Sequence, residues 1–258
     1  MSRQRLGQHF LASTSALDRI ARAACPEREP LVIEIGPGRG ALTERLSHRA
    51  ERLIAIEVDA ALAEHLRAKF RDNSSLTVIH ADALDADLAH WGTAVIAGNL
   101  PYYAATPIIE KALAGPFHRA VFLVQKEVAA RLTAVPGSRN YGYLSIRTQL
   151  FADIEALFDV PPSAFRPPPK VDSTVVHLLP HNRAADLRIS DPARFLTFVG
   201  QCFRQKRKTL RNNLTGLFGK EALARLPEAG QRAEALTIVQ FADLYRLLYH
   251  REPGGRNT

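Results

Sequence analysis

Short apolar runs rich in β-branched residues alternate with longer amphipathic stretches through the first 180 residues of this chain. Strands that alternate with helices at this spacing are typical of a parallel sheet whose crossover helices cover both faces. The predicted strands cover residues 31–35, 53–56, 76–80, 95–99 and 121–125, with two more near 154–160 and 174–179. The predicted helices between them cover residues 41–48, 60–70, 107–114 and 127–134. The sequence therefore predicts an α/β fold with a doubly wound sheet.

The last part of the chain carries only helical patterns, predicted over residues 192–214, 220–226 and 239–249. A length of 258 residues suits one domain of ordinary size and one smaller domain. We therefore expect an α/β domain over residues 1–183 and a small all-helical domain over residues 184–258.

The composition excludes several classes of protein. Apolar residues make up 46% of the chain and charged residues 23%, which is ordinary for a globular protein and excludes a fibrous or wholly disordered one. No apolar run approaches the roughly 20 residues that span a bilayer, and the first residues lack the apolar core of a secretory signal. Two cysteines, Cys25 and Cys202, are too few for a disulfide framework or a thiolate metal cage. We expect a reduced, cytoplasmic protein without a membrane partner.

The net charge of +8 is concentrated in the tail, where residues 181–258 hold 14 Lys and Arg against 7 Asp and Glu. Its densest basic stretch contains Arg204, Arg207, Lys208 and Arg211, which would share one face of a helix. An aromatic stripe upstream is half a turn out of phase, so one continuous helix would bury the stripe and expose the basic face. This pattern fits a solvated helix face as well as a face that grips phosphates. The clustering of charge favours nucleic acid as the partner.

A glycine-rich turn follows the first predicted strand, with Gly36 and Gly38 where the chain passes into a helix. Glycine there permits a tight turn and a close approach of the backbone to a ligand. The next strand ends in Glu57, at the distance expected for an acid that hydrogen-bonds ribose hydroxyls. The third strand is followed by Asp82, which can accept a hydrogen bond from an adenine amino group. The pattern predicts a nucleoside-containing cofactor and, by itself, also fits NAD and flavin enzymes.

The most specific signal follows the fourth strand, as Asn99-Leu100-Pro101-Tyr102. It resembles the Asn/Asp-Pro-Pro-Tyr/Phe motif of S-adenosylmethionine-dependent methyltransferases that act on amino nitrogens. A simple turn would account for the Asn and the Pro, but not for an aromatic residue at the mouth of the same crevice. The resemblance implies S-adenosyl-L-methionine as the cofactor.

Further matching segments along nearly the whole chain narrow this resemblance to the ribosomal RNA adenine dimethyltransferase family. Within that family the chain is most similar to bacterial enzymes that dimethylate two adjacent adenosines near the 3′ end of small-subunit (16S) rRNA. The segments cover residues 8–11, 34–43, 57–59, 82–84, 99–102, 123–128, 141–145, 161–173 and 205–211. The resemblance implies a Rossmann-like catalytic domain followed by a helical RNA-binding domain.

The resemblance also implies which residues contact the cofactor. These residues are His9, Leu11, Gly36, Gly38, Glu57, Asp82 and Asn99. Two positions depart from the family pattern, since the family often has Asn where His9 stands and Asn-Ile where this chain has Tyr103-Ala104.

The implied reaction explains why these residue types follow the fourth strand. The adenine amino nitrogen is a poor nucleophile because its lone pair is delocalised into the ring. Hydrogen bonds from this amino group to the Asn99 side-chain oxygen and the Leu100 carbonyl would localise the lone pair, and Pro101 would fix the turn. Tyr102 and Phe165 are expected to stack on the two faces of an adenine splayed from its RNA fold. The reaction requires no metal.

The expected partner is small-subunit rRNA in an immature 30S subunit, bound by a monomer whose N-terminal arm is basic at Arg3 and Arg5. Three alternatives remain open from the sequence. They are a resistance methyltransferase that acts on large-subunit rRNA, a ribosome-assembly checkpoint that acts mainly by binding, and a nicotinamide oxidoreductase.

Overall fold

A computed structural model of the chain describes residues 8–249, so the basic arm at Arg3 and Arg5 lies outside the described residues. The chain divides into two compact units. The first takes in residues up to Ala130 and then Asp153–Pro180, and the second takes in Arg131–Ala152 and the residues from His181 onward.

This division differs from the single boundary after residue 183 that the sequence predicts. Residues 131–152 belong to the helical unit because Tyr141, Ile146 and Leu150 are buried in the same core as Phe195 and Phe198. The pattern of apolar residues in this stretch gave no sign of which core it joins.

The described residues form nine strands and ten α-helices in chain order. The strands are β1 (Phe10–Leu11), β2 (Glu29–Ile35), β3 (Ala50–Glu57), β4 (Leu76–His80), β5 (Ala94–Asn99), β6 (Phe117–Gln125), β7 (Ala152–Val160), β8 (Phe165–Arg166) and β9 (Ser173–Pro180). The helices are α1 (Thr14–Ala24), α2 (Ala41–Ser47), α3 (Ala60–Lys69), α4 (Ala105–Ala114), α5 (Lys126–Leu132), α6 (Tyr143–Gln149), α7 (Arg183–Asp186), α8 (Pro192–Cys202), α9 (Leu210–Ala224) and α10 (Ile238–Tyr249).

A seven-stranded sheet in the order β4-β3-β2-β5-β6-β9-β7 forms the centre of the first unit. The strands from β4 to β6 run parallel, and β9 pairs with β6 in the antiparallel direction. Strands covered on both faces become nearly continuous apolar runs, and Ile33, Ile54 and Ile96 lie side by side in the middle of the sheet. The predicted α/β, doubly wound, Rossmann-like fold is confirmed.

The carboxyl ends of β2 and β5 approach each other unusually closely. A Cβ atom on Gly98 would lie 2.4 Å from the carbonyl oxygen of Ile35, so only glycine fits there. This approach brings the residue after Gly98 next to the glycine turn that follows β2. The fold thus places two of the motifs found in the sequence at one edge of the sheet.

An extended N-terminal segment is held at the same edge by a second, two-stranded sheet that the sequence did not predict. In this sheet Phe10 pairs with Arg166 and Leu11 with Phe165 in the antiparallel direction. The Ala12 N–H then donates to the carbonyl of Ala164 at 2.8 Å. The proline-rich segment that contains β8 therefore fixes the position of the N-terminal segment.

The second unit is helical, and its core is formed largely by aromatic contacts. Phe195 and Phe198 of α8 pack against Tyr245 of α10, with ring centroids 5.5 Å and 5.8 Å apart. The predicted small all-helical domain is therefore present, and α6 is added to it from the middle of the chain.

The predicted continuous helix over residues 192–214 is wrong. Helix α8 ends at Cys202, the chain turns, and α9 begins at Leu210 with the Thr209 side chain as its N-cap. The turn is fixed by Asn213, whose side chain donates to the carbonyl of Cys202 at 2.8 Å and accepts from the Gln205 N–H at 3.1 Å. Local side-chain to backbone hydrogen bonds of this kind compete with helix continuation.

Candidate active site

A cavity of about 390 Å³ opens at the carboxyl ends of β2, β3 and β5. Its walls come from the N-terminal segment, the glycine turn after β2, the residues after β3 and β5, and Arg166 of β8. The predicted site residues that line it are His9, Leu11, Gly36, Gly38, Glu57, Asn99, Leu100, Pro101 and Tyr102. Ligands of open α/β sheets bind outside the carboxyl ends of the strands, so this cavity is the candidate active site.

Glu57 holds the glycine turn in place. One carboxylate oxygen accepts a hydrogen bond from the Gly38 N–H at 3.0 Å, and the other accepts from the Asp59 N–H at 3.0 Å. Gly38 has a φ of +58°, a left-handed conformation that favours glycine. Burial raises the pKa of Glu57 above its usual range, although the two N–H donors oppose that rise. Each carboxylate oxygen keeps a lone pair for a ligand hydroxyl.

Glu34 is a second buried acid in the cavity wall, which the sequence analysis missed. Its side chain is 1% exposed, and Oε2 has no hydrogen-bond partner among residues 8–249. Burial raises the pKa of Glu34 to about 8, with the nearby Thr43 hydroxyl opposing the rise and the charge of Glu57 adding to it. A buried acid without a partner is typical of a ligand site. The available signal was an acid within the apolar run at the carboxyl end of the first predicted strand.

The Asn99 side chain is oriented by the N-terminal segment. Its Nδ2 donates to the carbonyl of His9 at 3.1 Å, which leaves Oδ1 as the atom able to accept from a ligand. The next residue, Leu100, is buried and donates its N–H to the carbonyl of Leu123 at 3.1 Å. Pro101 follows, and its carbonyl accepts from the Ala104 N–H at 3.0 Å. The bend after β5 is therefore rigidly held.

Tyr102 is half-buried at the cavity wall and anchored through its hydroxyl. The hydroxyl and the buried Ser173 Oγ form a 2.8 Å hydrogen bond. The ring lies 5.6 Å from the His9 ring, measured between centroids. Burial raises the pKa of Tyr102, while the Ser173 hydrogen bond opposes that rise. The phenol stays neutral at ordinary pH, so the anchored ring offers a neutral aromatic face.

Asp82 is the one predicted cofactor contact that does not line this cavity. Its side chain is exposed, and Oδ1 accepts a hydrogen bond from the Leu84 N–H at 2.9 Å. It lies close to Tyr103, which does line the cavity and is 64% exposed. The pKa of Tyr103 is raised by partial burial and by the charges of Asp82 and Glu57.

The position of Phe165 differs from the sequence prediction of a base-stacking ring. Phe165 is fully buried in the apolar core that also contains Leu11 and Val175. Its backbone pairs with Leu11, so it holds the N-terminal segment instead of presenting a free aromatic face. On β8, Phe165 is buried and Arg166 is exposed, because successive side chains of a strand point to opposite faces.

The predicted RNA-binding residues Arg204, Arg207, Lys208 and Arg211 all lie in the second unit and are all exposed. They do not share one helix face, because the first three lie on the turn between α8 and α9 and the fourth lies in the first turn of α9. Their exposure is consistent with contact to a polyanion.

Residues 8–249 offer neither a metal centre nor a membrane-spanning helix. That part of the chain contains no group of three or more His, Cys, Asp or Glu side chains able to hold a metal ion. No helix in the same range is long and apolar enough to cross a membrane. Cys25 and Cys202 are free, buried thiols, and burial raises the pKa of Cys25 to about 12.

Comparison with known proteins gives consistent results. The family model described as ribosomal RNA adenine dimethylase matches residues 1–249. A protein of Acidobacterium capsulatum named ribosomal RNA small subunit methyltransferase A is 44% identical over 259 residues, which cover 96% of this chain and 91% of that protein. A Nostoc protein of the same name is 40% identical over 268 residues, which cover 95% of this chain and 97% of that protein.

Two solved structures share the fold over almost the whole chain. The crystal structure of a dimethyladenosine transferase from Plasmodium falciparum has a TM-score of 0.81 at 27% identity, covering 94% of this chain and 97% of that chain. The crystal structure of the 23S rRNA methyltransferase ErmE has a TM-score of 0.72 at 26% identity, covering 93% of this chain and 99% of that chain.

Proposed function

The chain belongs to the ribosomal RNA adenine dimethylase family, and from that premise we propose how its cavity carries out the family's reaction. The protein is an S-adenosylmethionine-dependent rRNA adenine dimethyltransferase. Its substrate is small-subunit rRNA, in which it dimethylates the N6 atoms of two adjacent adenosines in the 3′-terminal hairpin. The two relatives described above that are named for the small subunit are 44% and 40% identical to this chain, whereas ErmE, named for 23S rRNA, is 26% identical.

The cavity residues fit S-adenosyl-L-methionine. The cofactor supplies an activated methyl carbon on a positively charged sulfur. The turn at Gly36 and Gly38 lets backbone come close to it, and Glu57 offers oxygen acceptors for its ribose hydroxyls. Glu34 offers a buried carboxyl oxygen, Oε2, that has no hydrogen-bond partner within residues 8–249, next to a ligand that carries positive charge. We assign His9 and Leu11 to the wall over the cofactor, and Asp82 with Tyr103 to its adenosine end.

The orientation of Asn99 is the observation that carries the proposal. Because Nδ2 is engaged with the carbonyl of His9, Oδ1 is free to accept a hydrogen from the adenine amino group. The Leu100 carbonyl accepts the second hydrogen, and Pro101 holds the bend. Together the two acceptors favour a pyramidal nitrogen whose lone pair can attack. Alignment of nucleophile and methyl carbon in a fixed site can lower the barrier by about 7–11 kcal/mol.

Tyr102 holds the target base by stacking. Its hydroxyl is tied to Ser173, so its ring is ordered before the base arrives, which lowers the entropic cost of binding. Stacking on an aromatic side chain contributes about 1–3 kcal/mol per base. Phe165 supports the site from the core, through its pairing with Leu11.

We further propose that the protein acts as a cytoplasmic monomer on an immature 30S subunit. The exposed residues Arg204, Arg207, Lys208 and Arg211 support RNA contact from the second unit, because they can neutralise phosphates.

The test is a methyl-transfer assay with labelled S-adenosyl-L-methionine and small subunits that lack the two dimethyladenosines. Label is expected in two adjacent N6,N6-dimethyladenosines of the small-subunit RNA, and large subunits serve as the matched control. Label confined to large-subunit RNA would favour a resistance-type enzyme. Absence of label from both subunits would contradict the proposal.

A further inference from the structure

A second cavity of about 360 Å³ lies beside the first, between the start of α1 and the segment over residues 158–166. Ala12 and Arg166 line both cavities. Arg166 therefore borders both the candidate active site and the second cavity.

Two arginines give the second cavity its positive charge. Arg19 and Arg166 are exposed, and neither forms an ion pair with a carboxylate in the part of the chain that the structure describes. Asp159 also lines this cavity, but Lys126 Nζ contacts its carboxylate at 2.6 Å, and Thr174 donates to it at 2.6 Å. The acid is already neutralised, so the cavity presents a net positive charge.

Both guanidinium groups are held in place before any ligand binds. The Arg19 guanidinium lies 3.5 Å from the centre of the Phe158 ring, and Arg166 Nη1 donates to the carbonyls of Ser163 at 3.0 Å and Phe165 at 2.9 Å. Ordered guanidinium groups lose little side-chain entropy when they bind a planar oxyanion or a phosphate. Contacts to backbone and ring leave other guanidinium N–H groups available for a ligand.

We propose that the second cavity binds the sugar–phosphate backbone of the RNA next to the adenosine whose base enters the first cavity. Arg19 and Arg166 contact the phosphates. Because Arg166 lines both cavities, it sets the distance between the base in the first cavity and the phosphates bound in the second. This inference rests on the proposed function, because it takes the polyanion to be the RNA substrate. It places RNA contacts on the first unit, where the sequence indicated almost no excess charge.

The test measures how binding of undermethylated small subunits depends on salt, for the wild type, Arg19→Gln, Arg166→Gln and the double variant. The slope of log K against log salt is negative, and each lost phosphate contact should make it less steep by about one. The slope of the double variant should therefore be less steep than that of the wild type by about two. Arg52→Gln is the matched control, because Arg52 is an exposed arginine near the amino end of β3, away from both cavities. Its slope should equal that of the wild type.

Two controls keep the result interpretable. Arg166 also lines the first cavity and supports the segment that pairs with the N-terminal strand, so the cofactor affinity of each variant is measured by calorimetry beside its salt slope. Arg19→Gln removes only a contact to a ring and therefore tests the phosphate site without disturbing that segment. Slopes equal to that of Arg52→Gln would overturn the inference even if methyl transfer is normal. If the wild type transfers no methyl group, yet its salt slope is steeper than those of Arg19→Gln and Arg166→Gln, the proposed function is contradicted and the phosphate site is still supported.

Discussion

The acidic side chains at the two edges of the central sheet differ in burial and in the partners they have. At the amino edge, Glu29 accepts from Arg119 at 2.9 Å and lies 3.0 Å from the His118 ring nitrogen. The same Arg119 donates to the carbonyl of Ala24, and Arg49 donates to the carbonyl of Cys25, so the end of α1 is joined to the sheet. Every charged group of this cluster has a protein partner.

At the carboxyl edge, Glu34 and Glu57 are almost fully buried and neither forms an ion pair with a residue between 8 and 249. Burial raises the pKa of both. A buried acid without a cationic partner destabilises the folded protein, and such groups persist where a ligand compensates for the cost. The comparison teaches that the amino edge stabilises the fold, whereas the carboxyl edge is built for a ligand that brings positive charge and hydroxyl groups.

The largest expected effect is on catalysis at the carboxyl edge. Asn99→Ala should lower methyl transfer at saturating substrate by about 10²–10³-fold, because it removes one of two acceptors aimed at the reacting amino group. Cofactor affinity, measured by calorimetry, should change only a few-fold. Asn99→Asp keeps the acceptor oxygen but loses the donor to the carbonyl of His9, so its methyl-transfer rate should lie between those of the wild type and Asn99→Ala. A wild-type rate for Asn99→Ala would remove Asn99 from the mechanism.

The next effect is on cofactor affinity. Glu57→Gln replaces one acceptor oxygen by an amide group that cannot accept from the Gly38 or Asp59 N–H. Hydrogen bonds to charged groups contribute about 1.5–3 kcal/mol, so affinity for S-adenosyl-L-methionine should fall by about 10–100-fold. Glu29→Gln, at the amino edge, is the matched control and should leave that affinity unchanged. Equal losses in the two variants would show that the edges do not differ.

The sequence predicted the carboxyl edge well because its motifs are local. The ends of the parallel strands that line the cavity are marked by a change from apolar residues to glycine, an acid or Asn-Leu-Pro, and the predicted strands agree with the observed ones to within a few residues. Nine of the predicted site residues therefore line one cavity, including Gly36, Glu57 and Asn99.

The remaining features depend on contacts between distant segments. Strand β1 has only two residues, too few for a periodic pattern, and it exists because β8, some 150 residues away in the chain, pairs with it. The same pairing explains why Phe165 is buried in the core. The break between α8 and α9 is fixed by hydrogen bonds of the Asn213 and Thr209 side chains, which no helical pattern reveals.

Glu34 predicts a pH dependence of stability at the carboxyl edge. Its folded-state pKa of about 8 lies above the unfolded value of about 4.3. Between these values the unfolded chain has lost a proton that the folded protein retains, so stability falls as pH rises through this window. Glu34→Gln should make the unfolding midpoint in urea much less dependent on pH between about 5 and 8, with a residual slope from Glu57. An unchanged slope would mean that Glu34 is ionised in the folded protein.

The smallest effect should come from the amino edge. Glu29→Gln removes the charge that pairs with Arg119 and His118 but keeps one acceptor, so the loss of stability should be about 1 kcal/mol. For a protein of this size that corresponds to a fall of roughly 2–4 °C in Tm, measured by thermal denaturation. The methyl-transfer rate at saturating substrate should not change, because the cluster lies at the opposite edge from the cavity. A loss of rate with unchanged Tm would show that the paired cluster affects the site directly, and the division of labour between the two edges would fail.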